Sequence, residues 1–283
     1  VNRKGEMMEL NIWAREKQFS SSTDGFRTAW PLESRAKSIS RSSQEMERAR
    51  EVQERLFPRN LPKLETLTYA GVCIQSQHVG GDYYDFLDLG LGYMGLAVAD
   101  ASGKGVAAAL LMASLQASLR SQCALAMDDL GSLLRAVNRQ LCDNIPDSSF
   151  ATMFFAEYSD DGRRLRYVNC GHPPALLMHS DGTLARLEST ATVLGFSEDW
   201  DCTVGEEILS PGDTLLVYSD GATESLGEDG EEFGERHLVD LLRANRHLSP
   251  SSVAQSVVHA LGRFSGPQFE DDVTVVVARE VAP

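Results

Sequence analysis

Four short motifs set an aspartate at a turn: Val79-Gly80-Gly81-Asp82, Ala99-Asp100-Ala101-Ser102-Gly103-Lys104-Gly105, Tyr218-Ser219-Asp220-Gly221 and Asp271-Asp272-Val273-Thr274. Three of them begin or end an apolar, strand-like run, where a sheet edge can hold a carboxylate still. Acidic side chains gathered from distant parts of a chain repel one another unless a cation lies between them. Hard divalent ions such as Mg²⁺ and Mn²⁺ take oxygen ligands of this kind. Taken singly, each motif is also an ordinary turn, in which the carboxylate bonds local backbone N–H groups and glycine supplies positive φ. Their joint occurrence points to a carboxylate-bound metal pair.

Other residues with chemical potential lie nearby. His172, in Gly171-His172-Pro173-Pro174, could act as a general acid, but a tight turn of this kind favours a structural imidazole. Lys104 could meet a phosphate, or its Gly-Lys-Gly setting could simply open a helix. A phosphate-cradling loop of the G-x-x-x-x-G-K-[ST] type is excluded, because Lys104 is followed by Gly105. Asp85 and Glu224 read either as groups supporting the four aspartates or as solvated surface. His179, His237, His247 and His259 have no partner spacing. The five cysteines, at 73, 123, 142, 170 and 202, form no C-x-x-C pair and read as small buried hydrophobes.

Something must position these turns, and the pattern of apolar residues supplies it. Strands are expected over 66–76, 82–89, 92–99, 151–158, 163–169, 174–178, 183–187, 203–208 and 213–218, with a last β-branched run from Val273 to Val277. Val106, Leu110, Ala113 and Ala117 repeat with helical spacing, as do Leu130, Leu134, Val137 and Leu141. Further helices are expected over 234–245 and 250–264. Strands joined by short turns favour antiparallel sheets, and helices in consecutive pairs favour an α+β fold over alternating βαβ units.

Before this, residues 1–42 read as a flexible extension rich in Ser, Arg and Lys, with at most a short helix near Met7–Lys17. Residues 43–60 read as a linker. Its helix over 44–56, built from strong helix formers and stopped at Phe57-Pro58, carries one narrow stripe of Met46, Ala49, Val52 and Leu56. That helix either packs on its own domain or serves dimerisation or signalling. Residues 61–283 form the remaining domain.

Composition narrows the function. Residues 1–42 carry eight basic and five acidic side chains, so the rest of the chain, at −15 overall, carries −18. A domain so acidic repels nucleic-acid phosphates. The apolar stretches fall short of the roughly 18 residues of a membrane span. The start lacks an apolar signal core, so a cytoplasmic location is expected.

From about Gln44 to Val281 the chain resembles the bacterial branch of the PPM (PP2C-like) metal-dependent protein phosphatases, of the RsbU and SpoIIE type. The resemblance is carried by the four motifs above in order, by Ala49-Arg50-Glu51-Val52-Gln53 with Leu56 and Pro58, and by Val79 to Asp85. It extends through Asp100 to Leu110, Asn169 to Pro174, Tyr218 to Gly221 with Glu224, Phe233-Gly234 and Asp271 to Thr274. It implies a four-layer αββα sandwich of two antiparallel β-sheets flanked by helix pairs. It also implies two Mn²⁺ or Mg²⁺ ions: Asp100 bridging, Asp82 and the Ala101 carbonyl on one ion, Asp220 and Asp271 on the other, with Asp272 in place of Asp271 if the register slips by one. A water shared by the two ions would attack phosphorus directly, without a phosphoenzyme. The implied substrate is a phosphorylated anti-anti-sigma (STAS-domain) protein in bacterial partner switching, with an upstream activator and a homodimer through the 44–56 helix as further expectations. The eukaryotic members' histidine after the bridging aspartate and their phosphate-binding arginine have no counterpart here; Ser102 and Lys104 stand in the first region. The rival readings are a non-catalytic pseudophosphatase and a hydrolase of small phosphate esters.

Overall fold

Apolar residues recur in this chain in strands as near-continuous runs, and a strand can afford that only when both of its faces are covered. The computed structural model describes residues 32–124, 129–266 and 268–282. Its elements are α1 (Leu32–Gln53), β1 (Leu67–Ile74), β2 (Tyr83–Gly90), β3 (Tyr93–Ala101), α2 (Val106–Cys123), α3 (Leu130–Asn144), β4 (Ala151–Ser159), β5 (Arg164–Cys170), β6 (Ala175–Met178), β7 (Leu184–Leu187), β8 (Gly205–Ile208), β9 (Thr214–Tyr218), a 3₁₀ turn (Asp220–Ala222), α4 (Gly234–Ala244), α5 (Pro250–Phe264) and β10 (Val273–Glu280).

Ten strands make two antiparallel sheets of five, ordered β1-β10-β9-β6-β7 and β2-β3-β4-β5-β8. Alternate residues of each strand serve different layers. Met94, Leu96 and Val98 of β3 meet Leu215, Val217 and Val276 of the facing sheet. Ala97, Ala99 and Ala101, on the other side of β3, meet Met112, Leu115 and Leu119 of α2 and Leu134 and Val137 of α3. On the second sheet, Val273, Val275 and Val277 of β10 face Leu238 and Leu242 of α4 and Val253 and Val257 of α5. The result is the αββα sandwich. Caps fix two helix starts: the Asp129 carboxylate accepts from the Gly131 and Ser132 N–H groups, and the Ser249 hydroxyl from Ser252 N–H, with Pro250 in the first turn.

The strands and paired helices fall within a few residues of expectation, except that β10 continues to Glu280. The first helix differs more. It begins at Leu32, inside the stretch read as an extension, because Glu33, Arg35, Ala36 and Lys37 between the serines are themselves helix formers. The remainder of that extension, including the short helix expected near Met7–Lys17, lies outside the described residues. The apolar stripe also shifts. Met46 and Ala49 are half-buried, but Val52 is 63% exposed and the buried residue is Gln53. Ser43–Pro283 forms one unit by itself. Among the described residues, no helix is long and apolar enough to cross a membrane.

Candidate active site

Register brings the acidic turns to one end of the sandwich. In one sheet, Ile74 at the end of β1 pairs with Val273 at the start of β10, and Val275 pairs with Tyr218 at the end of β9. In the other, Tyr83 at the start of β2 pairs with Ala99, and Ala101 at the end of β3 pairs with Ala151. Residues just outside these ends (Asp82, Ser219, Asp220, Asp271 and Asp272) therefore share a rim with Asp100 and Ala101. Ser219 links the two sheets here while bonding within its own. The Ser219 hydroxyl donates to Asp82 Oδ2 at 2.7 Å and accepts from Thr274 N–H at 2.9 Å.

The carboxylates press on one another. Asp82 is almost fully buried, and its pKa is raised by burial and by the negative charge of Asp100. Asp100 is pushed up to about 7, by burial first and then by Asp220, Asp271 and Asp272, with Lys104 opposing. Burial and Asp271 raise Asp220. Asp271 is half-exposed, and its Oδ2 lies 2.7 Å from Lys104 Nζ, which also donates to the Glu270 carbonyl at 3.1 Å. Lys104 is thus the cation set against this acidic rim.

The two adjacent aspartates do different work. Asp272 is buried and its carboxylate is taken up by backbone and hydroxyl donors: Ser76 N–H at 2.7 Å, Ser76 Oγ at 3.0 Å, Gly81 N–H at 2.8 Å and, more weakly, Asp82 N–H at 3.5 Å. It holds the Gly80–Asp82 loop against β1. That loop needs glycine, since a Cβ on Gly80 would lie 2.0 Å from Asp272 Oδ2. Gly221 is equally constrained, 2.0 Å from the Asp272 carbonyl by the same measure. Asp271, one residue earlier, faces the open rim.

The sequence-predicted set therefore meets on one rim, although no group of three His, Cys, Asp or Glu side chains among the described residues stands ready to hold a metal ion as placed. Mutual repulsion explains the spread: Asp82 turns to a hydroxyl and Asp271 to an ammonium. The Ala101 carbonyl belongs to the same rim, lying 2.8 Å from where a Gly81 Cβ would be.

Other candidates sort differently. Asp85 is neither surface nor part of the rim; its buried carboxylate is clasped by Arg120 at 2.7 and 3.0 Å and accepts from the Tyr83 hydroxyl, tying β2 to α2. Glu224 is exposed, and its pKa is raised by slight burial and by Asp220, Glu232 and Asp271. His172 is buried, bonded through Nδ1 to Thr152 Oγ1 at 2.8 Å, and burial drives its pKa to about 3. It is a structural, neutral imidazole. The cysteines are free; Cys170 is buried as expected, whereas Cys73, Cys123, Cys142 and Cys202 are half-buried. Sequence reasoning assigned no role to Ser219, Ser76 or Gln53. Ser219 lay inside a quoted motif, but nothing in a Ser-Asp pair announces a bond to a residue 137 positions away.

Comparison with known proteins gives the family and the fold. The SpoIIE family (Stage II sporulation protein E) matches residues 91–280. Phosphoserine phosphatase RsbU of Bacillus subtilis is 31% identical over 241 residues, covering 83% of this chain and 70% of that protein. The crystal structure of the RsbU and RsbW domains of Rv1364c from Mycobacterium tuberculosis is 29% identical with a TM-score of 0.69, over 79% of this chain and 62% of that one. The catalytic domain of serine/threonine phosphatase PstP, solved with two manganese ions, shares the fold at 20% identity and a TM-score of 0.59, over 77% of this chain and 99% of that one.

Proposed function

Since the chain belongs to the SpoIIE family of PP2C-like protein phosphatases, we propose that it removes phosphate from phosphoserine or phosphothreonine on a partner protein with the help of two Mn²⁺ or Mg²⁺ ions. Asp82, Asp100, the Ala101 carbonyl, Asp220 and Asp271 would hold the ions. Asp272 would not, because its oxygens are already engaged by Ser76 and Gly81. The observation that carries this reading is the crowding of Asp100: its carboxyl is pushed up to about 7 among like charges with one ammonium opposing. The donors of this rim are hard oxygens that suit a divalent ion, and Lys104 faces them 2.7 Å from Asp271.

Bound there, divalent ions would acidify a water and offset charge on the phosphoryl oxygens. The chain's own residues do the rest. Ser219 keeps Asp82 oriented, Asp272 keeps the Asp82 loop seated, and Lys104, paired with Asp271 across the rim, would be placed to meet a substrate phosphate. The described cysteines have pKa values raised by burial, as at Cys73 and Cys170, which suits water rather than a thiolate as nucleophile.

The proposed substrate is a phosphorylated STAS-domain anti-anti-sigma protein, with the cytoplasm as the expected compartment. Loss of the phosphate removes nearly two negative charges from its interface. Phosphate release from a phosphoserine STAS protein in Mn²⁺, set against the same reaction in EDTA, tests the proposal. Turnover confined to the Mn²⁺ arm is expected. Binding without turnover in both arms would instead favour a pseudophosphatase, and equal turnover of a generic ester would favour a small-molecule hydrolase.

A further inference from the structure

One polar side chain outside the acidic rim is buried in a way its own helix does not explain. From Ser42 to Gln53 the described side chains of α1 are exposed or half-exposed, except for Gln53, which is 4% exposed. Its amide reaches the backbone of the Asp82 loop and not the apolar core. Nε2 donates to the Gly80 carbonyl at 2.7 Å, and Oε1 accepts from Gly80 N–H at 3.0 Å. The same oxygen accepts from Gln75 Nε2 at 2.6 Å, just beyond the end of β1. This two-way pairing satisfies both polar groups of Gly80, as a neighbouring strand would. It also requires an amide, because a carboxylate can accept but not donate.

Gly80 lies two residues before Asp82, and the opposite side of the loop is fixed by Asp272 through Gly81 N–H. The loop is thus held between two clamps, one from β10 and one from the last turn of α1. Beside the α1 clamp lies a cavity of about 380 Å³ lined by Arg50, Glu54, Phe57, Ile74 and Tyr84. The amide bonds tie the last turn of α1 to the loop.

We propose that Gln53 is a positioning residue for the phosphatase reaction: through Gly80 it sets Asp82 relative to Asp100 and so supports affinity for the divalent ion. This rests on the reading of Asp82 as a metal ligand.

The test is calorimetric titration of Mn²⁺ into the metal-free chain, with hydrogen exchange followed over residues 76–83. Gln53→Ala is expected to weaken Mn²⁺ binding about tenfold, in line with other residues that orient metal ligands. Exchange should speed up in 76–83 and stay unchanged in α2 to α5 and in β3 to β9. Gln53→Glu keeps size and acceptor but loses the donor, and is expected to weaken binding as well. It serves as the deciding variant should Gln53→Ala fail to fold. Unchanged Mn²⁺ affinity in a folded variant, or exchange that rises uniformly across the chain, would overturn the proposal. Failure of the parent chain itself to bind Mn²⁺ would instead overturn the metal reading beneath it.

Discussion

Asp100 is crowded by carboxylates from both sheets, and charge of one sign in a half-buried place costs stability until a cation arrives. Asp100→Asn removes one of the repelling charges. The metal-free variant is expected to melt roughly 2–6 °C higher than the parent in EDTA, while its Mn²⁺-dependent turnover falls to background. Stability gained at the expense of function is the mark of a site residue. His172 gives the opposite kind of prediction. Burial holds it at about 3 in the folded chain, whereas an unfolded histidine titrates near 6.5. As pH falls below about 6.5 the unfolded chain takes up the proton first, so stability is lost progressively down to about pH 3 and is untouched above that window. The loss from this group between about pH 6.5 and 5 is about 2 kcal/mol. Urea unfolding at about pH 7 and 5 should show that increment in the parent and not in His172→Gln.

Elements are held to each other by a few polar ties as well as by apolar layers. The Asp85 carboxylate is fully buried and answered by Arg120. Arg120→Ala strands that charge between β2 and α2, and a loss of about 3–5 kcal/mol is expected from chemical unfolding curves. Most of the fold was legible in the sequence because period-two and period-3.6 patterns report directly which face is covered, as in Val273–Val277 and in Leu130, Leu134, Val137 and Leu141. The acidic motifs were legible too, since glycine beside aspartate marks a turn. What stayed hidden was tertiary. Gln53 sits among Glu, Arg and Gln, where an amide reads as solvated helix surface, and only the approach of Gly80 gives it a role. Asp85 stood open between a supporting group and surface, because nothing local shows that Arg120, 35 residues on, comes back to meet it. The choice between Asp271 and Asp272 needed the donors of Ser76 and Gly81. The early start of α1 was masked by serines, which lower helix propensity without abolishing it.

At the scale of the whole molecule, the negative charge of the chain repels nucleic acid and equally repels a phosphorylated partner until divalent ions offset the rim. The arrangement of the layers adds a second condition. Asp82 and Asp100 ride on one sheet, Asp220 and Asp271 on the other, with Ser219 and Asp272 fastening the seam. The gap between the two pairs is therefore a gauge of how the halves of the sandwich are seated. Phe154, fully buried between them, lies outside the rim. Phe154→Ala is expected to cost about 3–5 kcal/mol of stability and, by letting the sheets settle, to weaken Mn²⁺ uptake measured by calorimetry in the still-folded variant. In this architecture a defect hidden in the grease between two layers is felt as a fault in the jaws at their end.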